Sequence, residues 1–195
     1  MQKVSDLLKK FDLKIIEKIS KGYSSEIFLL KNSKGKKFAL KLEKSKSTRK
    51  NMVFKESTNL GLANSVSIGP KLYAFDEENK FLVMEFIEGK RFSDWIKEKI
   101  PKKILLKFLK NLFFQAKKLD KAGLDHGQLA GKGRNILVRK SLPIIIDFEK
   151  ASQTRRVHNV SQIKSLVFFN KDGFLAQRIN GIVGERELKK IINEF

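Results

Sequence analysis

The chain has 195 residues, with 42 Lys and Arg against 21 Asp and Glu, a formal charge of +21, 16 Phe and no Cys. That length allows one domain or two small lobes, and 41% hydrophobic residues recurring along the chain supply a packed core, which excludes global disorder. Without cysteine there is no disulfide framework and no thiolate zinc site, a composition that suits a reducing, cytoplasmic setting; two histidines exclude a histidine-rich metal site.

The first 19 residues carry charges every few positions and lack the apolar centre of a signal peptide. The longest apolar runs, such as 142–146 and 166–169, fall far short of the roughly 20 residues that span a bilayer, so no membrane partner is expected. The positive charge attracts polyanions in general: RNA, DNA, an acidic protein or a phospholipid surface. Lysines are spread over the whole length, including Lys9, Lys36, Lys102, Lys117 and Lys189, and a plain solvated surface accounts for them equally well.

In chain order, residues 3–19 place Val4, Leu7, Leu8, Phe11 and Ile15 on one face of a predicted helix, with Ser5 as its N-cap. The pattern changes at Ile16. Stretches 16–19, 25–31 and 37–43 predict three strands of an antiparallel meander, joined by a turn containing Gly22 and by Asn32-Ser33-Lys34-Gly35. Residues 48–62 are compatible with a helix on a weak stripe of Met52, Phe54, Thr58 and Leu62. Gly69-Pro70 introduces two more strands, 71–76 and 81–86, across a charged turn.

Five strands and one helix thus fill a first lobe, residues 1–88, and Gly89 punctuates the chain where helical periodicity takes over. The second part, 89–195, is expected to be mostly helical, which makes the whole α+β. It holds a short helix at 92–98 capped by Ser93, then a long one from Pro101 to about Ala122. Ile104, Leu105, Phe108, Leu112, Gln115 and Leu119 share a stripe of that long helix, and Gly123 stops it. A Gly-rich loop (125–134), a hairpin (135–138 with 143–146) and helices at 161–169 and 185–195 complete it.

Lys41, taken alone, is an edge-strand lysine. Strand alternation puts it on the same face as Ala39, and Glu56 follows fifteen positions later in the helix, an acid able to fix the ammonium for a polyphosphate. Ahead of it, Lys21-Gly22-Tyr23-Ser24-Ser25 offers backbone amides and hydroxyls to phosphate oxygens, although one glycine is a weak signal for such a loop.

Phe38-Ala39-Leu40-Lys41, Glu56 with Leu60, Ile68-Gly69-Pro70-Lys71-Leu72-Tyr73, Leu82-Val83-Met84-Glu85-Phe86-Ile87-Glu88-Gly89 and Ile145-Ile146-Asp147-Phe148-Glu149 occur in the order of the protein-kinase-like pattern. Over about residues 14–170 the chain resembles the small atypical archaeal branch of that family, near the Bud-type kinase/ATPase of the KEOPS tRNA-modification complex and the RIO kinases. The resemblance implies a bilobal fold with a five-stranded antiparallel N-lobe and a reduced helical C-lobe. It implies that Lys41 contacts the α- and β-phosphates of ATP and pairs with Glu56. Gly22, Ser24, Ser25 and Ala39 would border the same nucleotide, Met84 would line the back of the adenine pocket, and backbone groups of Glu85 and Ile87 would bond the adenine edge. Asp147 would hold Mg²⁺, with Asn135, twelve positions earlier, as the second magnesium contact.

The catalytic loop departs from the family. Where the pattern puts an aspartate two residues after the histidine, His126-Gly127-Gln128 puts a carboxamide, which accepts no proton at neutral pH. From Gln128 to Asn135 the loop runs seven positions instead of five. Asp125 is a candidate for the missing role. Gln128 is a candidate for orienting a water or hydroxyl, which favours slow transfer or hydrolysis. Lys132 and Arg134 are candidates to neutralise the γ-phosphate or are solvated charges, and His126 is structural. Glu149 replaces the usual glycine. Only 48 residues follow Asp147, with no Ala-Pro-Glu, so the usual peptide-docking region does not fit.

The leading expectation is therefore an ATP- and Mg²⁺-dependent atypical Ser/Thr protein kinase, acting on a protein substrate, or an ATPase. The alternative is a pseudokinase serving as a basic adaptor on RNA or a ribonucleoprotein of the tRNA-modification kind. A small-molecule phosphotransferase ranks last, because such enzymes usually have a much larger second lobe.

Overall fold

Hydrophobic alternation in the first half of the chain does produce a sheet. The computed structural model describes residues 8–9, 11–21, 24–44 and 51–195. The chain divides into two compact units, Met1–Gly61 with Pro70–Phe86, and Leu62–Gly69 with Ile87–Phe195.

In the first unit, β1 (Leu13–Lys21), β2 (Ser25–Asn32), β3 (Lys37–Glu43), β4 (Leu72–Asp76) and β5 (Phe81–Glu85) form one antiparallel sheet in the order β1-β2-β3-β5-β4. Leu13, Leu30, Phe38, Leu40, Phe81 and Val83 pack as one core on one face. Each such side chain contributes about 2 kcal/mol by leaving water. The Asn32 turn closes as its sequence suggests: Gly35 N–H donates to the Asn32 carbonyl at 2.9 Å and Lys36 N–H to the Asn32 side-chain oxygen at 2.8 Å.

The predicted helix over 3–19 is corrected here, since residues 13–21 are strand β1; Ser5, Val4 and Leu7 lie outside the described residues. β1 is an edge strand whose pairing shifts register between Ile15 and Glu17 and again between Lys18 and Ser20. Those shifts erase the two-residue period and leave Ile15, Ile16 and Ile19 exposed, so the apolar positions mimic a helical stripe.

Helix α1 (Met52–Ser65) is held at its start by a strand. Glu43 at the end of β3 is buried, and its Oε2 accepts the N–H groups of Met52 at 3.0 Å and Val53 at 3.3 Å. A carboxylate there satisfies two otherwise unpaired helix donors and complements the helix dipole.

In the second unit, α2 (Phe92–Trp95) starts after extended Arg91 without a side-chain cap, so Ser93 does not cap it. Helix α3 (Lys102–Lys121) follows Pro101 and buries Leu105, Phe108, Leu109, Leu112, Phe113, Ala116 and Leu119. Gln115 on α3 donates to the Pro143 carbonyl at 2.7 Å, tying the helix to a sheet of β6 (Lys90–Arg91), β7 (Ile136–Arg139) and β8 (Leu142–Ile145). Gly89 is required beside β7, because a Cβ on it would lie 2.7 Å from the Val138 carbonyl oxygen. Beyond β8 come α4 (Asn159–Lys164), a π-helical turn Ser165–Phe169, α5 (Phe174–Val183) and α6 (Glu185–Asn193). The sequence pattern does not announce α5, whose apolar stripe is interrupted by Asn180-Gly181, both weak helix formers. No helix among the described residues is long and apolar enough to cross a membrane.

Candidate functional site

The face of β3 opposite the core carries Ala39, Lys41 and Glu43. Lys41 and Glu56 are brought together: Nζ lies 2.5 Å from Oε2, with side chains 7% and 2% exposed. Desolvating both charges is costly, and apolar residues of the same volume commonly hold a core as well or better. Stability is therefore a weak reason for this pair to be here. Two residues of β3 thus position α1, Glu43 at its first turn and Lys41 one turn further on.

Ala39 is buried and pairs in register with half-buried Met84. Glu85 gives its N–H to the Lys71 carbonyl at 2.8 Å and takes the Lys71 N–H on its carboxylate at 3.3 Å. Ser24 and Ser25 are buried, and the Ser24 carbonyl accepts the Lys44 N–H at 2.9 Å. Gly22 lies outside the described residues.

The second unit assembles its own set. Ile87 is buried. The hairpin of β7 and β8 extends one bond beyond its strands, from Ile146 N–H to the Asn135 carbonyl at 2.9 Å. That bond sets Asn135 beside the chain end that carries Asp147. Asp147 is half-buried and adopts φ 67°, ψ 72° before a 3₁₀ turn, Phe148–Lys150. The left-handed region is unfavourable for most side chains, and non-glycine residues held there concentrate at functional sites. Gln128 and Asn135 share a cavity of about 370 Å³ with Lys132, Arg134 and Gln162; Asp125 is not among its lining residues.

Asp125 is fully buried and its carboxylate is engaged on both oxygens. Oδ2 takes the Arg155 Nε–H, while Oδ1 accepts the Gln162 amide at 3.1 Å and the His158 N–H at 3.3 Å. Paired backbone bonds with Ser152, at 2.9 and 2.8 Å, fix the main chain of Asp125.

Around it runs a network that local sequence reasoning missed. Asn159 accepts the His126 N–H at 2.8 Å and donates to Asp120 Oδ1 at 2.7 Å and to the Leu124 carbonyl at 2.7 Å. Gln162 accepts the Leu129 N–H at 2.7 Å. These partners lie 33 to 39 positions apart, so no short motif reveals them. Arg155 also passes over Gly127, where φ is +75°, a backbone conformation that favours glycine; a Cβ there would fall 2.2 Å from the guanidinium, which would have to shift.

His126 is buried, donates from Nε2 to the Ile146 carbonyl at 3.0 Å, and meets the Phe148 ring edge-on at 5.0 Å. Burial pushes its pKa down, opposed by the Ile146 bond and by the charges of Asp147 and Asp125. Its bond to the Ile146 carbonyl ties the loop to the end of β8.

A stretch of 109 residues is 32% identical to the KEOPS complex subunit Bud32 of Pyrococcus abyssi, covering 56% of this chain and 46% of that protein. The chain therefore spans about half the length of that relative. A stretch of 114 residues is 33% identical to an uncharacterized protein of Methanocaldococcus jannaschii, covering 57% of this chain and 94% of that protein. No family model matches the chain.

Proposed function

Since this chain belongs to the atypical protein-kinase-like family, we propose that it binds ATP with Mg²⁺ and moves or hydrolyses the γ-phosphate slowly. The observation that carries the reading is the buried Lys41–Glu56 pair, an ammonium held at 2.5 Å in a sheet face where no stability argument asks for a charge. In this reading Lys41 takes the α- and β-phosphates. Ser24, Ser25, Ala39 and Met84 border the nucleotide, with backbone groups of Glu85 and Ile87 at the adenine edge. Asp147 holds magnesium and Asn135 adds an oxygen ligand. A metal that keeps several waters needs little more from the protein than one carboxylate and one amide. Magnesium supplies charge neutralisation at the transferred phosphoryl group, and the protein supplies positioning.

At the reacting end the reading assigns Gln128, which orients a water or hydroxyl without taking its proton. Asp125 holds the loop in place. Turnover then lacks the factor of about 10² to 10⁴ that general-base catalysis provides.

The test is thermal unfolding with and without Mg-ATP. At a hundredfold excess over Kd, binding stabilises the native state by about 2.7 kcal/mol, a rise of several degrees in Tm. Lys41→Met is expected to abolish the rise. The double variant Lys41→Met/Glu56→Leu, which removes both charges of the pair, repeats the measurement without leaving one of them alone. An unchanged Tm for the wild type with Mg-ATP overturns the proposal.

Gln128 itself favours a second reading, that of a nucleotide-regulated adaptor in an assembly of the KEOPS type. Radiolabelled ATP decides between the two. Measurable phosphate release or transfer supports the enzyme, and nucleotide binding without either supports the adaptor.

A further inference from the structure

Beside the catalytic loop of the second unit lies a cavity of about 650 Å³, well inside the range of ligand pockets, about 300 to 1,000 Å³. Its walls come from three separate stretches: β6 with α2, the long loop after Gln128, and the segment leading into α5. Arg91, Lys97, Lys132 and Arg134 face it against Asp94 and Asp172, leaving two positive charges in excess. Lys97 has the Asp94 carboxylate at 3.2 Å. Arg91, Lys132 and Arg134 have no ion pair among the described residues. Phe174, on the same wall, is 53% exposed.

We propose that this cavity is a binding site for single-stranded nucleic acid, a site distinct from the nucleotide reading above and independent of it. Three cations without an ion pair, lining a hollow with two positive charges in excess, call for an anion with several charges. Phosphodiesters match that demand, and arginine in particular grips them through paired N–H groups. An acidic peptide would bring carboxylates against Asp94 and Asp172. Nucleobases instead bring amino groups that those carboxylates accept. The exposed Phe174 ring gives an unpaired base a face to stack on, whereas a duplex keeps its base faces covered. Lys132 and Arg134 also border the smaller cavity with Gln128 and Asn135, so a strand seated here runs along the reacting loop.

The experiment is fluorescence anisotropy on the full chain with a labelled ten-nucleotide single-stranded RNA of mixed sequence, its duplex, and poly-glutamate, over a salt series. Arg91→Gln/Lys132→Gln/Arg134→Gln is expected to weaken single-strand binding at least tenfold. It also lowers the slope of log affinity against log salt by about 2, at roughly 0.7 per lost phosphate contact. Phe174→Ala weakens binding about tenfold, and Phe174→Trp restores it. Lys99→Gln/Lys102→Gln/Lys103→Gln removes the same charge from exposed positions outside the cavity and is expected to change affinity less than twofold. Melting curves establish that each variant folds.

Three results overturn the proposal: no saturable single-strand binding by the wild type, equal loss in the control triple variant, or duplex or poly-glutamate bound as tightly as the single strand. Equal loss in the control would mean diffuse attraction to the +21 surface, and tight poly-glutamate binding would mean an acidic-protein site.

Discussion

Lys41 in the first unit and Asp125 in the second are both buried charges, and they are held in opposite ways. Lys41 meets Glu56 across one sheet face, in an arrangement built from strand alternation and a single helix. Asp125 is gripped by Arg155, His158 and Gln162, all from beyond the hairpin. In the function proposed above, the ammonium of the first pair exchanges its partner for a polyphosphate. A network of the second kind immobilises its carboxylate and serves the geometry of the loop. Burial of a charge therefore does not by itself mark a reacting group.

The largest test of that contrast is Lys41→Ala. It leaves Glu56 buried beside an empty space, so unfolding by denaturant is expected to show a loss of about 3 to 5 kcal/mol. Lys41→Met/Glu56→Leu is expected to recover most of that loss while still failing to respond to Mg-ATP. Should the double variant stay as unstable as the single one, the pair is part of the framework and the contrast with Asp125 disappears.

Gln128→Asp probes the other side. Restoring a carboxylate two positions after His126 is expected to raise phosphate transfer or release by about 10²-fold, the lower end of what a general base contributes. No gain in single-turnover assays would place the deficit elsewhere, with the seven-position loop as the first suspect.

What the sequence could convey follows the same division. Period-two alternation locates Lys41 on its strand, and Asn32-Ser33-Lys34-Gly35 announces its turn, because both are local. β1 misleads, since two register shifts at a sheet edge leave no regular period. Glu43 as the partner of the α1 start is invisible for another reason: its carboxylate reaches the Met52 N–H from the end of a strand nine positions earlier. Asp125 is the clearest case. Its place next to His126 suggests chemistry, while the donors that occupy it come from residues 155–162 and depend on the chain folding back.

Asp125→Asn sharpens the framework side. Asparagine keeps one acceptor oxygen but loses the charge that holds Arg155, whose side chain is 44% exposed and regains water. A loss of about 2 kcal/mol is expected, with any phosphate release per folded molecule unchanged. Release that vanishes while the Tm holds would instead make Asp125 the proton acceptor.

The smallest effect concerns His126. Its Nε2 carries the proton given to the Ile146 carbonyl, and Nδ1 has no hydrogen-bond partner among the described residues, so a second proton would charge a buried ring. The native pKa is accordingly below the ordinary 6.5, with burial as the main cause. The unfolded chain then binds more protons than the native one below that value, and stability falls as pH falls through it. His126→Gln keeps an amide N–H for the carbonyl and does not titrate. As pH falls below 6.5 the wild type is expected to lose more stability than the variant in urea unfolding. His158 is present in both proteins, so the difference isolates His126. Equal losses would mean that the ring takes up its proton in the native loop. A charged imidazole next to Asp147 would then add a cation beside the carboxylate proposed to hold magnesium, and would weaken that assignment.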